Sequence, residues 1–494
     1  MTGRLTTLDE PTARTDASSK IGRTMTRTLT PEEIRAWQPY APTDDGRSPL
    51  ERARQRIGEA GQWAPWQALG RRYPIGCVAL EITQRCNLDC TLCYLSESSE
   101  ALKDIPLDEV FRRIDLIHTH YGDNTDIQVT GGDPTLRQRE ELIAIVRYIR
   151  ARKMRASLFT NGIKATRGLL AELAANGLTD VAFHVDMTQQ RPGYGSESEL
   201  NAIRLEYIER ARGLPLSVFF NTTVYPVNVH EIPEVVRFFV DHCDVVRMCS
   251  FQVGAETGRG VGHGGPDVTA GVVMTAIQQG AGTQLNFDAA GCGPAACNRY
   301  AYALIVNGRA YDFFNDPEFV QQMMAATAHL YFDRTDRRRA IETMTDFLLA
   351  HPRLLAACIT RAARLAWKAK RDLLAARARV GKLSFFVHNF MDACHLDADR
   401  VAACSFMVMT PEGPLSMCLH NAKRDDYLLV PAAVQKESRV MFWNPATGAL
   451  QERKPERIAV TLTRKTARGR AKAELQIRLA NAQGSVRSGK ESVR

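Results

Sequence analysis

No stretch of this 494-residue chain is apolar for long enough to cross a bilayer as a helix, which takes about 20 residues. Residues 1–20 are polar and hold no apolar core of the kind a secretory signal needs. Both absences lead to the expectation of a cytoplasmic protein. No internal repeat is present. Evenly spread basic charge is missing too: the net charge is +9, yet residues 453–494 carry 12 Lys or Arg against 3 acidic residues, and residues 353–382 carry 9 against Asp372 alone. The remainder is acidic overall. A general nucleic-acid binder spreads positive charge over its folded surface, so no nucleic-acid partner is expected.

Hydrophobic residues make up 45% and charged residues 24%, ordinary for a globular protein, and the length exceeds one ordinary domain. There are 12 cysteines. Inside a cell, where thiols stay reduced, these point to metal or redox chemistry before disulfides.

Three of them, Cys86, Cys90 and Cys93, form a C-x3-C-x2-C run that follows the strand-like segment Val78 to Thr83 and ends at Tyr94. Three thiolates on one short loop can hold three irons of a four-iron cluster and leave the fourth iron open to a small molecule. A zinc loop or three unrelated buried thiols are the bland readings. Zinc motifs usually pair cysteines or histidines in two separated sets, which a lone triplet does not match. The spacing and Tyr94 resemble the radical S-adenosylmethionine (SAM) superfamily. That resemblance implies a 4Fe-4S cluster whose open iron chelates SAM, reductive cleavage to a 5′-deoxyadenosyl radical, and a flavodoxin or ferredoxin-type electron donor.

The pattern predicts strands near 78–83, 126–130, 155–160, 180–186, 216–223 and 244–252, with helices near 107–121, 137–151, 166–176, 197–213 and 229–241. Alternation of β and α favours a parallel sheet with crossover helices. The fold class is α/β, and the resemblance implies a partial (β/α)6 TIM-type barrel with its site at the carboxyl ends of the strands. The chain divides into an N-terminal extension (1–70), the barrel (71–284), an auxiliary-cluster and helical region (285–425) and a C-terminal segment (426–494) with a basic, disordered tail beyond about 465. Asn307-Gly308 marks a hairpin turn, residues 404–420 read as another hairpin, and Thr30-Pro31-Glu32-Glu33 reads as a helix start.

After the second strand, Gly131-Gly132-Asp133-Pro134 resembles the Gly-Gly-Glu-Pro motif that contacts the SAM amino group, with the shorter Asp in place of Glu; alone it would be a plain turn. Glycine lets backbone approach a ligand closely. The third strand ends in Thr160-Asn161, a hydroxyl and an amide where the ribose or carboxylate of SAM would lie. The fourth ends in His184-Val185-Asp186, which the strand period of two puts on one face. Asp186 is favoured as the catalytic residue, and His184 as a satisfied structural histidine.

Thr257-Gly258-Arg259, Val227 to Pro233, Gly291-Cys292-Gly293-Pro294-Ala295-Ala296-Cys297, Asn389 to Ala393, Cys404 and the Gly413 to Asn421 stretch with Cys418 together resemble a narrower group, the archaeal tetraether lipid synthases and their bacterial relatives. This implies auxiliary iron–sulfur clusters, for which the candidates are Cys292, Cys297, Cys404 and Cys418, a second 4Fe-4S site. Tetrahedral zinc is the alternative for the same ligands, and Cys394 is a spare. Cys77, Cys243, Cys249 and Cys358 fit small buried hydrophobes. With no cysteine before Cys77, the N-terminal rubredoxin-like iron site implied for the archaeal enzymes has no ligands here.

From Leu354 to Val380, Leu355, Ile359, Ala362, Leu365, Ala369, Leu373 and Val380 share one stripe and Arg361, Arg364, Lys368 and Arg371 another. Such a helix can lie on an anionic membrane surface, or be a core helix with a solvated face. The expected function is a radical SAM enzyme that couples or functionalises unactivated carbons of a lipid-like substrate, cytoplasmic and in peripheral contact with the inner membrane surface. A peptide maturase is the alternative. A non-catalytic iron–sulfur regulator is the distant one. A methyltransferase of the cobalamin kind would need a D-x-H-x-x-G sequence, which is absent.

Overall fold

The computed structural model describes residues 27–260, 268–334, 336–436 and 439–455, with 458 and 460. The basic tail expected beyond about 465 lies outside the described residues. Six strands, β1 (Cys77–Thr83), β2 (Asp126–Gly131), β3 (Arg155–Thr160), β4 (Leu178–His184), β5 (Ser217–Val224) and β6 (Val246–Val253), run parallel and side by side in chain order. Helices Leu107–Tyr121, Arg139–Ala151, Arg167–Ala175, Asn201–Ala211 and Ile232–Asp241 make the crossovers.

Alternation along these strands explains why they sit where they do. Val78, Leu80 and Ile82 on β1, Ile127 and Val129 on β2, Val181 and Phe183 on β4, and Val218 and Phe220 on β5 join the main core with helix stripes such as Val110, Ile114 and Ile117. The intervening residues, among them Ala79, Gln128, Ala182 and Phe219, line a central cavity instead. Period two on the strands and period 3.6 on the helices thus select which face each element buries.

Beyond β6 the chain returns to the same sheet. The hairpin β7 (Asn298–Val306) and β8 (Arg309–Asp312) turns at Asn307-Gly308, where both residues have positive φ, 52° and 70°. Strand β9 (Gly381–Asn389) inserts between β6 and β7, parallel to the former and antiparallel to the latter. Strand β10 (Phe406–Met409) pairs parallel with β1 and antiparallel with β11 (Pro414–Ser416). The result is an open sheet ordered β11-β10-β1-β2-β3-β4-β5-β6-β9-β7-β8, with eight adjacent parallel strands where the sequence predicted six. Its two parallel ends meet through rings: Phe386 and His388 of β9 lie 5.9 and 4.5 Å from Phe406 of β10. The barrel is therefore partial in its hydrogen bonding.

The boundary placed near 284 does not separate two cores, because the main cluster runs from Ile75 to Met409. Nor does the N-terminal extension stand apart. The capping box at Thr30 and Glu33 starts helix Pro31–Ala36 as expected, and Leu29 packs with Met391, Leu396, Leu415 and Cys418. Lys423 Nζ donates to the carbonyls of Ile34, Arg35 and Trp37 at 3.2, 2.8 and 3.0 Å. A small antiparallel sheet of β12 (Ala432–Lys436), β13 (Arg439–Trp443) and β14 (Leu450–Gln451) follows.

Candidate functional site

The cavity inside the curved sheet has a volume of about 720 Å³, and Cys86, Cys90 and Cys93 all line it. Their loop leaves β1 and is held from three sides. Gly132 N and Asp133 N donate to the carbonyls of Thr83 and Arg85 at 2.9 and 2.8 Å, Thr91 N donates to Thr188 O at 2.8 Å, and Arg259 N donates to Leu95 O at 2.7 Å. Gly131, at φ 126°, and Gly132 are required here: a Cβ on either would fall 2.0 Å from the carbonyl oxygen of Thr83 or Arg85. The glycines let the end of β2 pass against the cysteine loop.

The donor set fits an iron–sulfur cluster. Leu88 N donates to Cys86 Sγ at 3.5 Å and Arg259 Nε to Cys93 Sγ at 3.4 Å, the latter side chain buried and paired with Glu100 at 2.9 Å. A buried guanidinium beside a thiolate offsets the cost of burying negative sulfur. Burial raises the pKa of Cys90, and the neighbouring Cys93 and Cys86 raise it further. Cys90 is therefore held as a thiol unless a metal takes the charge. Among the described residues no three His, Cys, Asp or Glu side chains gather closely enough for a single metal ion, whereas a four-iron cluster asks each thiolate only to reach its own corner.

Other expected residues divide into those that face the cavity and those that hold them. Tyr94, Gly131, Gly132, Thr160 and Asn161 face it, joined by Thr130, which was not among the expected residues. Tyr94 OH donates to Gly131 O at 2.5 Å, and Asn161 Nδ2 donates to Asn87 Oδ1 at 2.6 Å. Asp133, expected to contact SAM, is fully buried and accepts from Thr135 N at 3.0 Å, Thr160 Oγ1 at 2.8 Å and Asn161 N at 2.8 Å. Its carboxylate is turned back into the loop and clamps the end of β3 to the end of β2. Pro134 is likewise buried, at the start of a short 3-10 turn.

The assignment at β4 is reversed. Asp186 is fully buried and does not line the cavity; it accepts from Thr188 N at 3.0 Å and Thr223 N at 2.8 Å and pairs with His184 Nε2 at 2.6 Å. His184 is the one that faces the cavity. The strand ends at His184, so its alternation no longer governs Asp186. Burial would lower the pKa of His184, but the Asp186 carboxylate outweighs it and raises the value. Burial opposes ionisation of Asp186 too, and His184, with Thr188 and Thr223, keeps it below the ordinary carboxylate range.

Sequence reasoning missed three further features of the wall. Glu81 of β1 forms a buried ion pair with Arg424, which also donates to Asn421 Oδ1 at 2.6 Å and lies 4.7 Å over the Tyr94 ring. Burial would raise the Glu81 pKa, but Arg424 and His420 bring it down to about 2. At the opposite end, Arg334 and Arg155 reach Asp126 at 2.6 and 3.1 Å, and Arg155 reaches Asp180 at 2.8 Å. In this floor Asp180 Oδ1 and Arg155 Nε are buried without a partner. Between the ends, Phe159, Phe219, Met248, Phe386 and Phe406 make the wall apolar. The signals for the floor were single charged residues at the starts of β2, β3 and β4, which read as solvated strand ends until the sheet curves.

A sequence model of the radical SAM superfamily matches residues 80–239, from the middle of β1 to the last crossover helix. These residues are a radical SAM domain. A 7,8-dihydro-6-hydroxymethylpterin dimethyltransferase of Methanocaldococcus jannaschii is 28% identical over 186 residues, 36% of this chain and 36% of that protein. A PqqA peptide cyclase of Bradyrhizobium diazoefficiens is 27% identical over 173 residues, 33% of this chain and 43% of that one. A GTP 3′,8-cyclase of Streptomyces coelicolor is 32% identical over 209 residues, 40% of this chain and 59% of that one. The matches thus span from about a third to three fifths of these relatives. Their names share no substrate, and none of the three is a tetraether lipid synthase.

Outside the radical SAM domain, the second set of thiols draws together unevenly. Arg400 Nε donates to Cys297 Sγ at 3.2 Å, and Met391 N donates to Cys418 Sγ at 3.5 Å. Burial, then Cys404, pushes the Cys418 pKa up to about 12; Cys297 is at about 11, raised by burial against the pull of Arg400. Cys292 lies to one side, lining the cavity beside Cys77. Cys77 is buried as expected; burial raises its pKa, and Asp126, Cys292 and Cys404 raise it further. Cys394 is exposed, 3.1 Å from His395 Nδ1. His388 lines the cavity and stacks on Phe390 at 3.9 Å; burial and then Arg400 push its pKa down to about 3.

Proposed function

We propose that this chain is a radical SAM enzyme acting on an apolar, lipid-like substrate with a polar end, at an unactivated carbon that it functionalises or couples to another. The carrying observation is one cavity with three unlike zones: the thiol loop at one end, an aromatic and aliphatic wall in the middle, and the ion-paired floor of Asp126, Arg155, Asp180 and Arg334 at the other. When bound, a reduced 4Fe-4S cluster and SAM supply a 5′-deoxyadenosyl radical that takes hydrogen from such a carbon. The chain's part is to hold and shield. Cys86, Cys90 and Cys93 are the cluster ligands, Arg259 neutralises thiolate charge, and Tyr94, Thr160 and Asn161 present hydroxyls and an amide toward SAM. The apolar wall keeps water from the reacting carbon. The ion-paired floor of Asp126, Arg155, Asp180 and Arg334 receives the polar end. A flavodoxin or ferredoxin-type protein is the proposed electron donor, and Cys292, Cys297, Cys404 and Cys418 a second cluster site.

Peptide modification is the second reading, favoured by the likeness to a peptide cyclase; the same floor would hold a peptide's ionic group. Deuterium decides between the two. Anaerobically reconstituted protein with a strong reductant is given a perdeuterated acyl or isoprenoid lipid, or a deuterated candidate precursor peptide. Deuterium in 5′-deoxyadenosine from the lipid alone supports the first reading. Deuterium from the peptide alone replaces it. No 5′-deoxyadenosine under any condition overturns the enzyme assignment, including its distinction from a non-catalytic iron–sulfur regulator.

A further inference from the structure

Helix Pro352–Lys368 has no fully buried side chain, and its apolar residues split between two faces. Leu354, Leu355, Cys358 and Leu365 are half-buried against the body of the protein. Arg361 belongs to this inner side as well: it ion-pairs with Asp316 at 3.2 Å and donates to Phe313 O at 2.6 Å. An exposed strip turned outward holds Ile359, Ala363, Ala366 and Trp367, spaced by four, three and one, which a period of 3.6 places together, with half-buried Leu355 at its edge. Ile359 is 60% exposed and Trp367 72%, and Leu374 on the next short helix is 81% exposed.

Cations border this apolar strip on the Trp367 side. Arg364, Lys368, Lys370 and Arg371 are exposed, and Lys370 Nζ sits 3.7 Å over the Trp367 ring. The one acidic residue of the 353–382 stretch, Asp372, is turned inward and accepts from Tyr311 OH at 2.5 Å and Asn307 Nδ2 at 3.1 Å. Exposed tryptophan and aliphatics bordered by positive charge match a surface that is apolar inside and anionic outside, as a bilayer is. A second copy of the same face would bring like charges together.

We propose that the outer face of helix Pro352–Lys368, with Ile359, Trp367 and Leu374, docks on an anionic lipid bilayer. This holds whatever the substrate in the cavity is. The helix lies flat and inserts only side chains, since no described helix is long and apolar enough to cross a membrane. Arg361, which the sequence pattern grouped with the docking cations, takes no part.

The test uses the full chain and vesicles of phosphatidylcholine with or without phosphatidylglycerol, the latter brominated on its acyl chains. Wild-type protein should co-float with anionic vesicles and lose tryptophan emission to bromine, and Trp367→Phe should remove most of that quenching. Each cation near such a surface is worth roughly a fivefold change in partitioning, so Arg364→Gln/Lys368→Gln/Arg371→Gln should weaken binding by about a hundredfold at low salt. At high salt, which screens charges over about 3 Å at 1 M, residual binding should persist in wild type and vanish in Ile359→Asp/Leu374→Asp. Arg361→Gln should bind like wild type. Equal quenching in wild type and Trp367→Phe would sink the proposal. So would concentration-dependent dimerisation that Ile359→Asp/Leu374→Asp abolishes while vesicle binding is unchanged. Gel filtration and melting curves confirm that each variant is folded.

Discussion

The two thiol groups are built in opposite ways. Cys86, Cys90 and Cys93 come from one short loop, locked by hydrogen bonds from the ends of β2, β4 and β6, and they open onto the cavity. Cys297, Cys404 and Cys418 come from separate segments that meet only because β9, β10 and the turns around them close the sheet, and Arg400 sits among them. The first arrangement leaves room for a ligand without a protein donor. The second is buried among the protein's own side chains, where burial raises the pKa values of Cys297 and Cys418. The comparison therefore predicts that damage to one group spares the other.

The largest expected effect is on the first group. Changing Cys86, Cys90 or Cys93 to Ala removes a ligand that no neighbour can replace, so each variant should form no 5′-deoxyadenosine above background from SAM and dithionite. Full activity in any one of them would falsify the assignment of the loop. By contrast, Cys297→Ala and Cys418→Ala should retain uncoupled SAM cleavage while losing product formation on the true substrate.

Metal content sharpens the same contrast. Two four-iron clusters amount to about eight irons per chain, and the variant lacking Cys86, Cys90 and Cys93 should keep about half. Iron assay and Mössbauer spectra on anaerobic samples provide the measurement. Should that variant hold zinc and no iron, the second group is a structural metal site and its reading as a cluster fails.

A smaller effect is expected at Asp133. Its carboxylate accepts from Thr135 N, Thr160 Oγ1 and Asn161 N in a site without solvent, and a buried donor left unpaired costs about 1–3 kcal/mol. Asp133→Ala should lower unfolding stability by roughly 3 kcal/mol or more on that basis, and loosen SAM binding while leaving iron at the second group unchanged. Asp133→Glu, if the longer side chain reached SAM, would instead tighten binding; a loss of binding in both variants supports the clamp.

These residues also mark what could be read in the chain before it folded. The six strands and five crossover helices were legible because each carries its own period of apolar residues, and the cysteine loop because its three ligands are local. Strand β9 was not, although Lys382 to Asn389 alternates well enough, because its partners β6 and β7 lie far away in sequence and the basic helices before it suggested a continuing helical region. Strand β10 pairs with β1 across most of the chain, which no local pattern announces. At the site, alternation was extended past the end of β4, so Asp186 was placed on a face it does not share. Asp133 was read by its likeness to a longer carboxylate, whereas its length decides its role: it reaches the neighbouring backbone and no further.

The smallest prediction concerns pH and returns to the first group alone. Thr91 of the cysteine loop bonds to Thr188 O, and the turn containing Thr188 is held by Asp186, which pairs with His184. The His184 pKa is raised in the folded protein and that of Asp186 is lowered. A raised histidine contributes stability that is fully present below its unfolded pKa of about 6.5 and disappears as pH climbs through the folded value. A lowered aspartate contributes above about 3.9 and loses it as pH falls through its folded value. The pair therefore stabilises the turn from weakly acidic to near-neutral pH and less in alkali. His184→Asn should melt below wild type at pH 6 by on the order of 1 °C, and the gap should close by pH 9. Hydrogen exchange at Thr91 should rise in the same variant at pH 6, with exchange around Cys404 and Cys418 unmoved. A melting difference that stays constant from pH 6 to 9 would mean that His184 supports the turn by packing, and that the ionic link between the cavity wall and the cysteine loop is absent.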